Sequence, residues 1–399
     1  MKLVSPRVIR GNRGDLLSRY GILSELYGLG IKNLTVFCFK NKDIYPLEFR
    51  TVNYGHIYNL IPSYQGLKEL IKSDVVLWTG GIDLQDDSSL VKLIHTLIVF
   101  IIYRMMRLKI YIIMQGAGPL TTKWGRRLAQ LILNRVNVFV TRDKGSLKLL
   151  QELNSRTRLM LGYDGIFLGD FGKGRLEMES KRYIEKISSK KNSQPLIGFN
   201  IRMWFHFTGS LLPFQYAKQK YLNRSEQKMT EFVNASTSFL EYLRSLLDAK
   251  ILLISMYEPD VEPWEDDLFF LQRIKKGFSN DPDVALVNEP LDIHSFCHLL
   301  SGLDLMVGTR LHSTIAAMRL GVPAINLNYT LKGRDIFKDL GLENQVINLD
   351  DFISDPGLAV GLVQKLVKDV GSRKRTNSIV EKTIQKNRQV LHNLFINIQ

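Results

Sequence analysis

Residues Asp304–Lys332 read DLMVGTRLHSTIAAMRLGVPAINLNYTLK, and this stretch decides the fold. Asp304–Val307 is a short apolar run, and Gly308-Thr309 permits a tight turn. Leu311, Ile315, Ala316 and Met318 then follow the spacing of a buried helical face. Gly321-Val322-Pro323 ends that helix, and Ala324–Leu327 is a second buried strand. The first turn delivers Arg310 and His312 to a helix start, where free N–H groups and the helix dipole favour an anion. Arginine offers a planar fork to phosphate or carboxylate, and histidine exchanges a proton near neutral pH. Lys332 follows the next strand, within reach of the same edge.

Working outward, the same alternation recurs. Towards the N-terminus come GNRGD (11–15) before a periodic helix, DVVLWTGG (74–81), QGAGP (115–119) and TRDKGS (141–146), each closing a buried-strand run. Strands alternating with helices imply a mostly parallel sheet whose ligands sit at the strands' carboxyl ends. Asp15 reads as a helix N-cap or a site residue, and Gly80-Gly81 as a turn or a close-approach point. Met160–Asp164 and Ile166–Leu168 close this half. From Phe171 to Pro195 the chain turns charged and loses strand patterning, which marks a linker. The division expected is 1–170, a linker 171–195, a second half 196–373 and a terminal basic helix 374–399 packing back on the body. In the second half, Leu196–Ile201, Lys250–Met256 and Val284–Val287 read as strands. Helices are expected over about 226–247, 264–276 and 294–303. Residues 203–224, rich in aromatic and basic residues, read as a long loop.

Composition sets bounds. The chain has 399 residues, 45% hydrophobic and 23% charged, as in a globular protein with room for two cores. Cys38 and Cys297 lie in apolar surroundings far from any zinc-ligand spacing, so reduced thiols and a cytoplasmic setting are expected. The net charge of +15 favours anionic partners, and no nucleic-acid-binding motif accompanies it. Residues 90–108 (LVKLIHTLIVFIIYRMMRL) are apolar on nearly every face, but their uncharged part falls short of the ~20 residues of a membrane span. They read first as a buried crossover helix and second as an interfacial helix beside Arg104, Arg107 and Lys109.

Taken in order, GNRGD, DVVLWTGG, QGAGPL, VTRDKGSLKLL, IGFNIR and GTRLHSTIAAMRLGVP followed by YTLK resemble the polysaccharide pyruvyl transferase family over about residues 5–345. The resemblance implies an α/β fold: two Rossmann-like domains with mostly parallel sheets facing a cleft, in the GT-B-like manner. It implies transfer of a pyruvyl group from phosphoenolpyruvate (PEP) to sugar hydroxyls as a ketal, with no cofactor and no metal. Arg202, Arg310 and Lys332 then bind PEP, with His312 and Arg310 catalytic. Asn12, Asp15, Gly81 and Asp83 face the saccharide acceptor, which is lipid-linked in one version, with peripheral membrane contact at the inner face. Arg142 and Asp143 fit the pattern or form a structural pair. Where the family often has Asp-Pro-Ala-Phe, this chain has Asp164-Gly165-Ile166-Phe167. The rival expectations are a GT-B glycosyltransferase using a nucleotide sugar, with Glu289 on the ribose, and a catalytically silent membrane-associated scaffold.

Overall fold

The runs Leu34–Cys38, Val75–Thr79, Leu196–Asn200 and Lys250–Ile254 are buried at every position. Strands hidden on both faces belong to parallel sheets covered by helices, and that is the architecture found. The structure, a computed structural model, describes residues 1–53, 56–57, 61–86, 90–172, 176–191, 193–202, 218–259, 267–329 and 331–396.

The chain opens with β1 (Leu3–Ser5), α1 (Arg13–Gly28), β2 (Leu34–Cys38) and β3 (Arg50–Asn53). A small hairpin, β4 (His56–Ile57) and β5 (Ile61–Pro62), leads to α2 (Tyr64–Ile71) and β6 (Val75–Thr79). Then come α3 (Leu90–Met105), β7 (Lys109–Gln115), α4 (Lys123–Leu133), β8 (Val138–Thr141), α5 (Lys144–Gln151) and β9 (Arg158–Leu161). The second half runs α6 (Met178–Ser188), β10 (Leu196–Asn200), α7 (Lys218–Leu247), β11 (Lys250–Ile254), α8 (Asp267–Gly277) and β12 (Val284–Val287). It continues with α9 (Ile293–Ser301), β13 (Leu305–Gly308), α10 (Leu311–Arg319), β14 (Ala324–Asn328), α11 (Leu331–Asp339) and β15 (Val346–Asn348). Helices α12 (Leu349–Ser354), α13 (Gly357–Lys368) and α14 (Ser372–Phe395) end it.

Among the described residues the first sheet has the order β3-β2-β1-β6-β7-β8-β9 and the second β12-β11-β10-β13-β14-β15. Every ladder in both is parallel. Strand order therefore reverses between β1 and β6 and again between β10 and β13. A crevice opens at such a reversal, because the connections on its two sides leave in opposite directions. The stretch quoted first supplies β13, α10 and β14, so it stands at the second reversal.

Several expectations change. The end of the first half, expected over Met160–Asp164 and Ile166–Leu168, is β9 followed by a 3-10 turn, Gly165–Leu168, capped by Asp164, whose Oδ1 accepts from Ile166 N. The expected linker carries α6, which lays Ile184 into the core of the second half because its apolar positions have helical spacing. Residues 218–224, expected as loop, begin the 30-residue α7, and 203–217 lie outside the described residues. Residues 264–266 do too, so the helix expected from 264 is described from Asp267. The N-cap of α1 is Asn12 rather than Asp15, its side chain accepting from Asp15 N at 3.3 Å.

One apolar core runs between the halves. Leu16, Leu17 and Tyr20 of α1 and Ile166–Phe167 of the turn are buried in one cluster with Ile315 of α10 and Val380 and Ile384 of α14. Further along α14, Leu391, Leu394 and Phe395 join Ile22 and Leu26 on the first half. The tightest point is between two glycines. A Cβ built on Gly21 would stand 2.0 Å from the Gly165 carbonyl oxygen, and one on Gly165 would stand 2.5 Å from Ser18 O. The replacement of proline at 165 thus matches a turn pressed on a helix backbone. Gly21→Ala is expected to cost about 1–3 kcal/mol by overpacking, read from its urea-unfolding midpoint. Gly28→Ala, with open space around it, should be neutral or stabilising.

Candidate active site

The turn after β13 is built by one buried asparagine. Asn200, at the end of β10, accepts Arg310 N on Oδ1 at 3.1 Å and donates Nδ2 to Ile254 O at 2.8 Å. Thr309 donates N and Oγ1 to Asn200 O. Three strand ends are thereby tied together, and α10 starts from a fixed point. Arg310 does not stand as an open anion fork. Its Nε lies 2.9 and 3.1 Å from the two carboxylate oxygens of Asp267, its Nη2 donates to Oδ1 at 2.6 Å, and its guanidinium sits 5.1 Å from the Tyr257 ring centre. Asp267, fully buried at the start of α8, also accepts Met256 N. The expectation of a direct PEP ligand at Arg310 is thus modified: a buried carboxylate takes up most of its charge.

His312 is the residue that joins the halves. Its Nε2 lies 3.3 Å from Asp164 Oδ2, and Arg142 Nη1 donates to that same oxygen at 3.0 Å. Arg142 Nη1 is also 3.3 Å from Nε2. Burial alone would raise the Asp164 carboxyl, but His312, its hydrogen bond and Arg142 hold it well below the ordinary carboxylate range. An ionised carboxylate faces a ring N–H and repels a ring lone pair, so the network assigns the proton to Nε2. The other nitrogen, Nδ1, lies against α1: a Cβ built on Gly14 would stand 2.4 Å from it. The ring is a wedge between halves, with 17% of the side chain open to solvent. Arg142 Nε is buried, has no hydrogen-bond partner among the described residues, and faces the Gly116 turn.

On the first half, Asn12 forms a bridge with Tyr257, Glu258 N donates to Gly11 O, and Arg13 N donates to Met256 O. Arg13 Nη1 donates to Ser255 O at 3.0 Å and its guanidinium covers the Phe296 ring at 4.5 Å. The GNRGD turn is therefore clamped to the loop after β11, and Asn12 and Asp15 both serve its helix start. Gly81 (φ +66°) packs on the Arg7 guanidinium. Asp83, after β6, accepts Trp78 Nε1 at 2.7 Å and pairs with Arg7 at 3.4 Å and Lys92 at 3.6 Å. Burial pushes its carboxyl up, but those two cations and hydrogen bonds from Trp78 and Gln115 bring it down from 3.8 to about 2.

Arg202, two residues past the end of β10, donates to the Tyr329 hydroxyl and lies 5.1 Å from that ring's centre. Lys332 falls in α11, and its side chain lies outside the described residues. Asp143 does not pair with its neighbour Arg142: it caps α5, accepting Ser146 N at 2.6 Å, while Arg142 turns to Asp164. The structure thus gathers His312, Asp164, Arg142 and Gly14 at the seam, with Arg310 and Asp267 behind. Sequence reading missed Asp164, Asp267, Gly14 and Arg13 as site residues. The first was legible as the acid of DGIF; Asp267 carries no local signal, because its partner is 43 residues away.

The family model described as "Polysaccharide pyruvyl transferase" matches residues 12–330. The chain belongs to this family. It is 25% identical over 301 residues to the amylovoran biosynthesis protein AmsJ of Erwinia amylovora, a match covering 72% of this chain; the chain spans 65% of that relative's length. In fold it is similar to the S. aureus MnaA–UDP co-structure (TM-score 0.61, 12% identity, 100% and 97% of the two chains). It is also similar to the Anabaena Alr3699/HepE complex with UDP-glucose (TM-score 0.56, 12% identity, 99% of each chain). At such identity these likenesses show the two-sheet GT-B-like fold alone.

In this pyruvyl transferase family member, Gly14→Ala should displace the imidazole and reduce turnover far more than it lowers the melting midpoint, whereas a purely structural glycine would lose both together. Asp83 has a folded pKa below its unfolded value, so its contribution is present above pH ~4 and is lost as pH falls towards 2. The stability gap between wild type and Asp83→Asn should therefore narrow across that window, as measured by urea unfolding at each pH.

Proposed function

We propose that this protein transfers a pyruvyl group from PEP to two hydroxyls of a saccharide, closing a cyclic ketal, at a peripheral position on the inner face of the membrane. The observation that carries this reading is His312: the family-matched stretch sets it at a helix start, and a buried, ionised Asp164 grips one ring nitrogen. That is the arrangement of a proton carrier rather than of a surface histidine.

In the proposed sequence, protonated His312 gives a proton to the CH2 carbon of PEP, and a sugar hydroxyl adds to the adjacent carbon. The hydroxyl's proton returns to His312, leaving a tetrahedral centre that bears methyl, carboxylate, phosphate and the sugar oxygen. A second hydroxyl displaces phosphate and closes the ketal, its proton passing to the departing phosphate. Asp164 steadies the imidazolium. Arg202 and Lys332 are assigned to the phosphate and carboxylate of PEP, and Arg310, with its direction fixed by Asp267, contributes a smaller share. Asn12, Asp15, Gly81 and Asp83 are assigned to the acceptor side. Of these, Asp83 has its charge committed to Arg7 and Lys92, so its share is to hold the turn.

A nucleotide-sugar reading keeps one supporting observation, the UDP and UDP-glucose bound in the structural neighbours. Glu289, its ribose candidate, lies on the exposed turn after β12. Thermal denaturation separates the two. Ligand at a hundredfold excess over its Kd should stabilise the native state by about 2.7 kcal/mol. PEP is expected to raise the midpoint of wild type and of His312→Asn, and to lose that effect in Arg202→Ala. With an acceptor glycan present, His312→Asn should lose about 10²–10⁴-fold in phosphate release. A rise with UDP-sugars and none with PEP overturns the proposal.

A further inference from the structure

Helix α3 is apolar on the side it shows to water. Leu93, Val99, Phe100 and Tyr103 bury one face in the first half's core. The opposite face carries Val91, Ile94, Ile98 and Met105, which are 43%, 44%, 41% and 79% exposed. Steps of three, four and seven residues keep these side chains within one stripe of about 100° on a helix about 24 Å long. On the neighbouring α4, Trp124 is 72% exposed. A monomer in water leaves large apolar side chains scattered; an apolar stripe along one helix, with an exposed tryptophan on the helix packed against it, is a contact surface.

The charge around the stripe identifies the partner. Between Asp87 and Asp143 there is no Asp or Glu, while nine Lys and Arg occur. Of these, Arg104, Arg107, Lys109, Lys123 and Arg127 are exposed at the ends of α3 and on α4. A second copy docking here about a two-fold axis would set these rims against each other, and Glu152, the acid beside α4, is already paired with Arg126 at 3.1 Å. An anionic phospholipid surface meets both needs: acyl chains for the stripe and head-group charge for the rim, with tryptophan at the boundary. Among the described residues no helix is long and apolar enough to cross a membrane, so the contact is one of lying on the bilayer.

The orientation has a consequence. Lys92, in the first turn of α3, reaches Asp83 at 3.6 Å, and Asp86 accepts Thr121 N and Thr122 N just before α4. Both helices therefore start at the carboxyl edge of the first sheet, where the Gly81–Asp83 turn lies. We propose that the α3–α4 face docks on an anionic lipid bilayer and holds the mouth of the first half at the head-group plane. The docking stands without the pyruvyl chemistry; only its use, presenting the site to a lipid-linked saccharide, rests on that reading.

Flotation of the full chain with vesicles tests it. Wild type is expected to float with phosphatidylcholine vesicles containing phosphatidylglycerol, to stay down with phosphatidylcholine alone, and to be released by salt. The double variant Ile94→Glu/Ile98→Glu should bind at least about tenfold more weakly, and Lys123→Gln/Arg127→Gln should lose most of the anionic preference. Both should keep the wild-type melting midpoint and any midpoint rise caused by PEP. Failure of wild type to float at low salt overturns the docking. So does a double variant that floats like wild type, or a concentration-dependent dimer of wild type that the Ile94→Glu/Ile98→Glu change abolishes. None of these outcomes touches the PEP result, so the docking and the pyruvyl chemistry fail separately.

Discussion

The contact on which the rest depends is the one between Asp164 and His312. The two residues are 148 positions apart and come from different halves of the chain. Asp164 cannot move, because its second oxygen caps the 3-10 turn that is pressed against α1 through Gly21 and Gly165. His312 cannot move much either: Asn200 fixes its turn and Gly14 backs its ring. A buried carboxylate is costly unless paired, and Arg142 with His312 supplies the pairing. The seam between the halves is therefore at once a stability element and the place where a proton can be held.

Around that contact the halves are clamped three ways. The start of α1 forms a short bridge with the loop after β11, and Lys40 pairs with Glu258 at 3.0 Å beside it. Lys144, at the start of α5, pairs with Asp339 of α11 at 3.1 Å. Helix α14 crosses the back, where Asn387 donates to Asp164 O and accepts Tyr163 N, and Arg388 meets Glu25 at 3.1 Å. The apolar cluster of α1, α10 and α14 supplies the larger share of the adhesion, and the polar pairs set its register.

Most of the fold was legible because parallel sheets demand strands that are apolar throughout and turns rich in glycine. Val284–Val287 matches the strand observed, and α10 and β14 fall within a residue or two of the expected bounds. What escaped is what local pattern cannot carry. Helix α7 begins earlier than its apolar periodicity, and α6 hides in a charged segment with one buried isoleucine. At the site, the Arg-x-His turn was readable because a helix start gives those residues a reason. Asp267 was not, because its role exists only once α8 is folded against Arg310. Likewise, a stripe such as that of α3 can be read as apolar from sequence, but which face remains in water depends on the core it packs against.

The pairing with the ionised Asp164 places a proton of His312 on Nε2, while Nδ1 lies against Gly14 of α1. Nitrogen-15 NMR of the histidine rings, with His312 assigned by its loss in His312→Asn, measures this directly. The expected result is a proton on Nε2 in wild type and a reduced occupancy of that position in Asp164→Asn. A wild-type ring with its proton on Nδ1 and Nε2 bare towards Arg142 would contradict it.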